Sequence, residues 1–273
     1  MHPILFRIGN WPVYSYGVLL ALAYLAGLQL AVMRARRVGL DGARVMDLGI
    51  YLIIAALVGA KLMLIAVDFN YFRNQPRELM SLVRAGGVFY GGLLAAFGVG
   101  LWLMRRYRLP VWTTSDVIAP GIALGHIVGR FGCLLAGCCY GRPTTVRWAV
   151  TFTDPVAATN VGTPLQIPLH PTQLYDAGAE AVILALLLFS ERRGRPFPGR
   201  TFWLYMLLYA ASRFVIEFYR GDPRGMILGL STSQFVSIIL VPVGLFMLLR
   251  LRRGASGAAS ASGATRAVGA TGA

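Results

Sequence analysis

Seven apolar blocks of about 20 residues run through the 273-residue chain, at roughly 13–33, 46–67, 87–104, 115–138, 173–190, 201–219 and 229–250. A block of that length crosses a hydrocarbon core as a helix. Lipid-exposed backbone must satisfy its own hydrogen bonds, and the two-residue alternation of a membrane barrel is missing. The expected fold class is therefore an all-α polytopic membrane protein with about seven transmembrane helices. Composition agrees: 56% of the residues are hydrophobic and the mean hydropathy is +0.62, beyond an ordinary soluble domain.

The formal charge is +15, and 25 of the 26 basic residues are arginine, Lys61 being the exception. Segments 34–44, 105–110, 191–200 and 251–254 are dense in arginine and share one face if all seven blocks span. Basic loops stay in the cytoplasm, so the N-terminus is expected outside and the C-terminus inside. Arginine that punctuates apolar blocks serves topology, which argues against nucleic acid as a partner. The start, MHPILFRIGNWP, lacks the ordered regions of a cleaved signal peptide. The opposite face receives 1–12, 68–86, 139–172 and 220–228, richer in Pro, Asn, Asp and aromatics. Loops 68–86 and 139–172 are expected to form a small outer cap, and TVRWAVTFTD within the second predicts a short strand pair. Residues 1–253 read as one domain, and 254–273 as a disordered cytoplasmic tail of small residues.

Ionisable side chains inside spans are costly and point to function. They are Lys61, Arg130, Arg213 and Glu217, with Asp116, His126, Asp176, Glu180 and Arg220 nearer the ends. Asp47, Asp116, Asp176 and Glu180 read as structural. Arg213, Glu217 and Arg220 recur at i, i+4 and i+7, which on a helix is one face. Such a stripe belongs against an enclosed polar cavity near the outer leaflet, and guanidinium forks match phosphate oxygens. The alternative is an Arg–Glu pair that only ties helices together. Small residues in GGVFYGGLLAAFGVG and GHIVGRFG allow close helix approach. HPTQLYD places His170 on the outer loop, with Gln173 and Tyr175 just inside a span.

All three cysteines, Cys133, Cys138 and Cys139, lie in GRFGCLLAGCCYGR. Their C-x4-C-C spacing has no second pair elsewhere, and with His126 added the four would not converge on a continuous helix. No metal is expected. A disulfide requires residues 138–142 to leave the helix at an oxidising face, a nucleophile requires a base that is not evident, and small packing residues are the default.

The stretches VYSYGVLLALAYLAG, VGAKL, GGVFYGGLLAAFGV, GRFGCLLAGCCYGR, HPTQLYD, YAASRFVIEFYRGD and LSTSQFVSI follow one another in order over about residues 12–250. In that series the chain resembles the phosphatidylglycerol–prolipoprotein diacylglyceryl transferase family of the bacterial inner membrane. The resemblance implies transfer of a diacylglyceryl group from phosphatidylglycerol to the lipobox cysteine thiol in a preprolipoprotein signal peptide. Glycerol 1-phosphate leaves, and no cofactor is needed. By resemblance, Arg130 and Arg213 match the arginines that hold the phosphate, and Glu217 and Arg220 complete their pattern. Tyr16, Gly129, Gly141, His170, Gln173 and Tyr175 align with motif positions. VGAKL and the glycine pair of the third block add Lys61, Gly91 and Gly92 to the substrate-binding candidates.

The chain departs from the family pattern at four positions. Cys133, Ala136 and Cys138 stand where the family carries two asparagines and an acidic residue. Tyr90 stands where it carries the histidine proposed as base. Tyr90 with a pKa near 10, His170, and an acceptor thiol that needs little help at about 8.5 are then the three options for the deprotonation. A paralogue with another donor or acceptor, a non-catalytic binding or transport protein for anionic lipid, and a thiol-redox protein are the competing readings.

Overall fold

The computed structural model describes residues 2–75, 87–192, 194, 196–223 and 225–270, with side chains as far as Ser256. It divides into two compact units, Met1–Ala31 with Ser115–Ala273, and Val32–Thr114. In chain order the elements are β1 (Ile4–Ile8), β2 (Trp11–Tyr14), α1 (Ser15–Arg37), α2 (Gly42–Val67), α3 (Phe69–Asn74), α4 (Phe89–Arg106) and α5 (Val111–Ala136). Then come β3 (Val150–Thr151), α6 (Pro155–Val161), β4 (Pro168–Leu169), α7 (Thr172–Glu191), α8 (Arg200–Ile216), a 3-10 turn (Glu217–Tyr219), β5 (Met226–Ile227), β6 (Leu230–Ser231) and α9 (Thr232–Ala270).

Each of the seven apolar blocks coincides with one long helix: α1, α2, α4, α5, α7, α8 and α9. Five of them, α1, α2, α5, α7 and α9, are long and apolar enough to cross a membrane. The α4 helix has 18 residues and ends on Arg105 and Arg106, and α8 has only 17. Large apolar side chains such as Leu62, Leu94, Phe97, Val182 and Phe246 are more than half exposed. Such an outer surface suits hydrocarbon rather than water.

In the larger unit, Ala119, Ala123, Ile183, Leu187 and Tyr205 form a buried cluster that joins α5, α7 and α8. Asp116 fastens one end of this trio by accepting from the Gly199 amide at 2.7 Å and the Phe202 amide at 2.9 Å. It caps α8 from another helix, in keeping with its structural reading. The α1 helix packs on α5 where a β-carbon on Gly27 would run into the Gly121 carbonyl. In the smaller unit α2 lies on α4 by the same device: β-carbons on Gly91 or Gly92 would meet Met63, Gly59 and Ala56.

The two segments expected to form an outer cap differ in part from that reading. Loop 139–172 does carry a strand pair, but Val150–Thr151 pairs with Pro168–Leu169, not within TVRWAVTFTD. Tyr140, Phe152 and Leu169 give this cap its own small core. Residues 76–86 of the other expected cap loop lie outside the described residues. An N-terminal hairpin, β1 with β2, precedes the first helix and has no counterpart in the sequence reading. The α9 helix runs on to Ala270, through the segment expected to be a disordered tail.

Candidate active site

The ends of three helices meet in the larger unit: the C-termini of α5 and α8 and the N-terminus of α7. Arg130 lies six residues before the end of α5, about 9 Å along its axis. Arg213 sits in the last turn of α8. Carbonyl groups left unpaired at a helix C-terminus favour a cation at the position of Arg213.

Beyond Ile216 the chain does not continue as an α-helix. Residues 217–219 tighten into a 3-10 turn and Arg220 is extended, at φ −74° and ψ 140°. The expected helical face of Arg213, Glu217 and Arg220 therefore holds only for its first pair: Arg213 and Glu217 still meet at i and i+4, and Arg220 leaves the helix. The three side chains converge all the same, brought together by a carboxylate on another helix.

That carboxylate is Asp176. Its Oδ2 lies 3.1 Å from Arg130 Nε and 3.5 Å from Arg220 Nη1, and its Oδ1 lies 3.6 Å from Arg213 Nη1. Arg213 also pairs with Glu217, and Arg220 donates a two-pronged pair to Asp222 at 2.8 and 2.9 Å. Asp176, Arg213, Glu217 and Arg220 are each about 5–6% exposed. Burial opposes the charge on Arg220, yet the Asp222 hydrogen bond raises its pKa above the ordinary value. Three guanidinium groups this close repel one another, and a shared carboxylate is what makes the arrangement stable. A guanidinium presents five donors in a fixed fork, a geometry that matches the oxygens of a phosphate.

Asp176 does serve structure, as read from the sequence, but as the shared partner of three guanidinium groups. The signal was present: Gln173, Asp176, Glu180, Ile183 and Leu187 are all buried on α7, at alternating spacings of three and four. That stripe is polar at the N-terminal end and apolar beyond, which marks the polar end as a site. Glu180 takes part through His126, whose Nδ1 is 2.7 Å from its Oε1. Asp222 gave no such signal.

Three loops hold the site together. The Gly141 amide donates to the His170 carbonyl at 3.1 Å, the His170 amide to the Arg142 carbonyl at 3.0 Å, and the Arg142 amide to the Tyr219 carbonyl at 2.8 Å. Gly141 is required here, since a β-carbon would fall on His170 and 2.9 Å from the Tyr219 carbonyl. Gln173 Nε2 donates to the Cys138 carbonyl and Thr172 Oγ1 to the Cys139 carbonyl, both at 2.7 Å. His170 Nδ1 is 3.1 Å from Tyr175 Oη, which also accepts from Trp148 Nε1 at 2.8 Å. The His170 ring sits edge-on to Tyr219. Gly129 faces open space, and Tyr16 packs where Gly132 leaves room.

Arg130, Gly141, His170, Gln173, Tyr175, Arg213, Glu217 and Arg220 are thus gathered. Lys61, Tyr90, Gly91 and Gly92 belong to the other compact unit, where both glycines serve the α2–α4 contact. The cysteines are not strung along one helix. The α5 helix stops at Ala136, Gly137 takes φ +82° and Cys139 φ +61°, and the three sulfurs come within 4.8 Å of one another. The helical continuity that would have kept them apart ends two residues early. They are free thiols, and Arg130 Nη1 points at Cys139 Sγ from 3.7 Å.

Comparison with known proteins agrees with the motif series. The family model described as prolipoprotein diacylglyceryl transferase matches residues 3–250. A phosphatidylglycerol–prolipoprotein diacylglyceryl transferase of Clostridium tetani is 36% identical over 90% of this chain and 96% of its own length. A second, from Clostridium perfringens, is 31% identical over 90% and 94%. One from Dehalococcoides mccartyi is 34% identical over 92% and 94%. The chain belongs to the prolipoprotein diacylglyceryl transferase family.

Proposed function

We propose that this protein transfers the diacylglyceryl group of phosphatidylglycerol to the lipobox cysteine thiol of preprolipoproteins and releases glycerol 1-phosphate. The observation that carries the reading is the gathering of Arg130, Arg213 and Arg220 around Asp176 at the meeting point of apolar helices. A phospholipid presents its phosphate at headgroup depth. The three guanidinium groups hold that phosphate, with Gln173, Tyr16 and Tyr175 toward the rest of the substrates.

In the reaction the acceptor sulfur attacks the glyceryl carbon beside the phosphate oxygen. The sulfur–carbon bond forms as the carbon–oxygen bond breaks, and the electron pair passes to the phosphate. Charge that grows on the leaving phosphate falls among preorganised donors in a water-poor site, which is where such donors lower a barrier most. Seven crossings with the N-terminus outside put this end of the helices toward the outer leaflet of a bacterial inner membrane.

Purified protein incubated with phosphatidylglycerol and a lipobox peptide tests the reading. The peptide should gain a diacylglyceryl mass as glycerol phosphate appears. Lipid bound or moved without a new thioether, under conditions where a known transferase works, replaces it with a lipid-carrier function.

A further inference from the structure

The reaction needs a thiolate. Among the histidines of the larger unit, His170 is tied through Nδ1 to Tyr175 and His126 through Nδ1 to Glu180. Beside Arg130, however, stands a group the reaction as written does not use. Cys133, Cys138 and Cys139 bring three sulfurs within 4.8 Å of one another. Two positive backbone angles produce this, and Cys139 at φ +61° is not a glycine. Strain of that kind persists only where the surroundings hold it. Here Thr172 and Gln173 hold it by binding the Cys139 and Cys138 carbonyls. The carbonyls are thereby occupied, and the three sulfurs stay grouped, the Cys138 thiol donating to the Cys133 carbonyl at 3.7 Å.

We propose that Cys133, Cys138 and Cys139 form a tri-thiolate site for one soft divalent cation of the zinc class, whose open fourth position takes the acceptor thiol. The inference rests on the diacylglyceryl-transfer reading for the identity of that thiol, and on the sulfur geometry for the site itself. A cation bonded to three sulfurs at about 2.3 Å sets them about 3.8–4.0 Å apart. The thiols need only small side-chain adjustments to reach this from 4.8 Å. Thiolates select zinc-like cations over magnesium or calcium. Three protein ligands with one vacancy is the pattern of a zinc site that reacts, whereas structural sites are closed by four. Three thiolates and a divalent cation carry one net negative charge, and Arg130, 3.7 Å from Cys139 Sγ, offsets it.

The step balances without a redox partner. The acceptor thiol binds at the fourth position and loses its proton to solvent, since a coordinated thiol is deprotonated outright. Its sulfur then gives an electron pair to the glyceryl carbon, the carbon–oxygen bond breaks, and the phosphate leaves as an anion among Arg130, Arg213 and Arg220. The thioether product is a weaker ligand and departs. The cation thus takes the part of a general base.

Reduced, chelator-treated protein titrated with Co(II) is the test. Thiolate-to-cobalt charge-transfer absorbance should saturate at one equivalent and be displaced by Zn(II). It should be absent in the Cys133→Ser/Cys138→Ser/Cys139→Ser variant and weakened in Cys138→Ala alone, which covers the case where the triple variant does not fold. A lipobox peptide with a free thiol should shift the cobalt bands, and its S-methyl form should not. Reloading chelated protein with Zn(II) should raise turnover about 100-fold, the low end of what a general base supplies. Absence of saturable thiolate absorbance, indifference of the bands to the free thiol, or equal turnover with and without Zn(II) each overturns the proposal. Expected spectra without thioether formation in either state would support the metal site and count against the diacylglyceryl reading.

Discussion

At Asp176 one carboxylate faces three guanidinium groups, at 3.1, 3.5 and 3.6 Å. Removing the charge of a buried partner costs about 3–5 kcal/mol, and here it leaves three cations to repel one another. Asp176→Asn should therefore lower the thermal midpoint in detergent and abolish transfer together. A midpoint equal to wild type would show that Glu217 and Asp222 suffice to hold the arginines. Arg130→Lys is the contrasting change: it keeps the charge and loses the fork. Its midpoint should stay near wild type while turnover falls about 100-fold, the size of one lost donor at a developing anion. Unchanged turnover would make Arg130 structural. The arginines were legible in the sequence because a charge in an apolar run is expensive and must be explained. Asp176 was not, because a carboxylate near a helix start has an ordinary capping explanation, and only its partners on α5 and α8 reveal the hub.

Single glycines on the helices separate contact from mere permissiveness. On α4, a β-carbon at Gly91 would collide with Met63 and the Gly59 carbonyl, whereas Gly98 has nothing within 4 Å. Overpacking costs about 1–3 kcal/mol. Gly91→Val should lower the thermal midpoint clearly and Gly98→Val hardly at all; equal effects would mean that α4 does not pack on α2 by this face. The Asp116 cap of α8 is open to the same kind of check. Asp116→Ala removes the acceptor of both amides and should cost about 1–2 kcal/mol, read as a lower midpoint with the arginine cluster chemically intact. The helices themselves were plain from block length, since about 20 apolar residues admit little else in a chain of this kind. Their ends were not. Hydrophobicity runs on past Ala136 through Cys138, and the break at Gly137 depends on a positive φ that several small residues in that stretch could equally have supplied. The cysteine cluster was hidden by that one boundary.

For the whole molecule the decisive question is how many of the seven long helices cross. With α1, α2, α5, α7 and α9 alone, an external N-terminus still gives an internal C-terminus, because five and seven are both odd. The two topologies part at residues 137–171, which are outside with seven crossings and inside with five. They part also at RRYRLP (105–110) and ERRGRPFPGR (191–200), which five crossings would send outward. Dense arginine loops resist export, so seven is expected, with Arg105 and Arg106 at the end of α4 reaching to the interface by snorkelling. Thr159 on α6 is exposed and remote from the arginine cluster in the chain. In intact cells Thr159→Cys should react with a membrane-impermeant maleimide, beyond any labelling of the unaltered chain, and a cysteine at Arg192 should react only after permeabilisation. The reverse pattern would reduce the crossings to five. It would also turn the ends of α5, α7 and α8, and with them the proposed phosphate site, toward the cytoplasm, where a thiol acceptor presented from outside could not reach it.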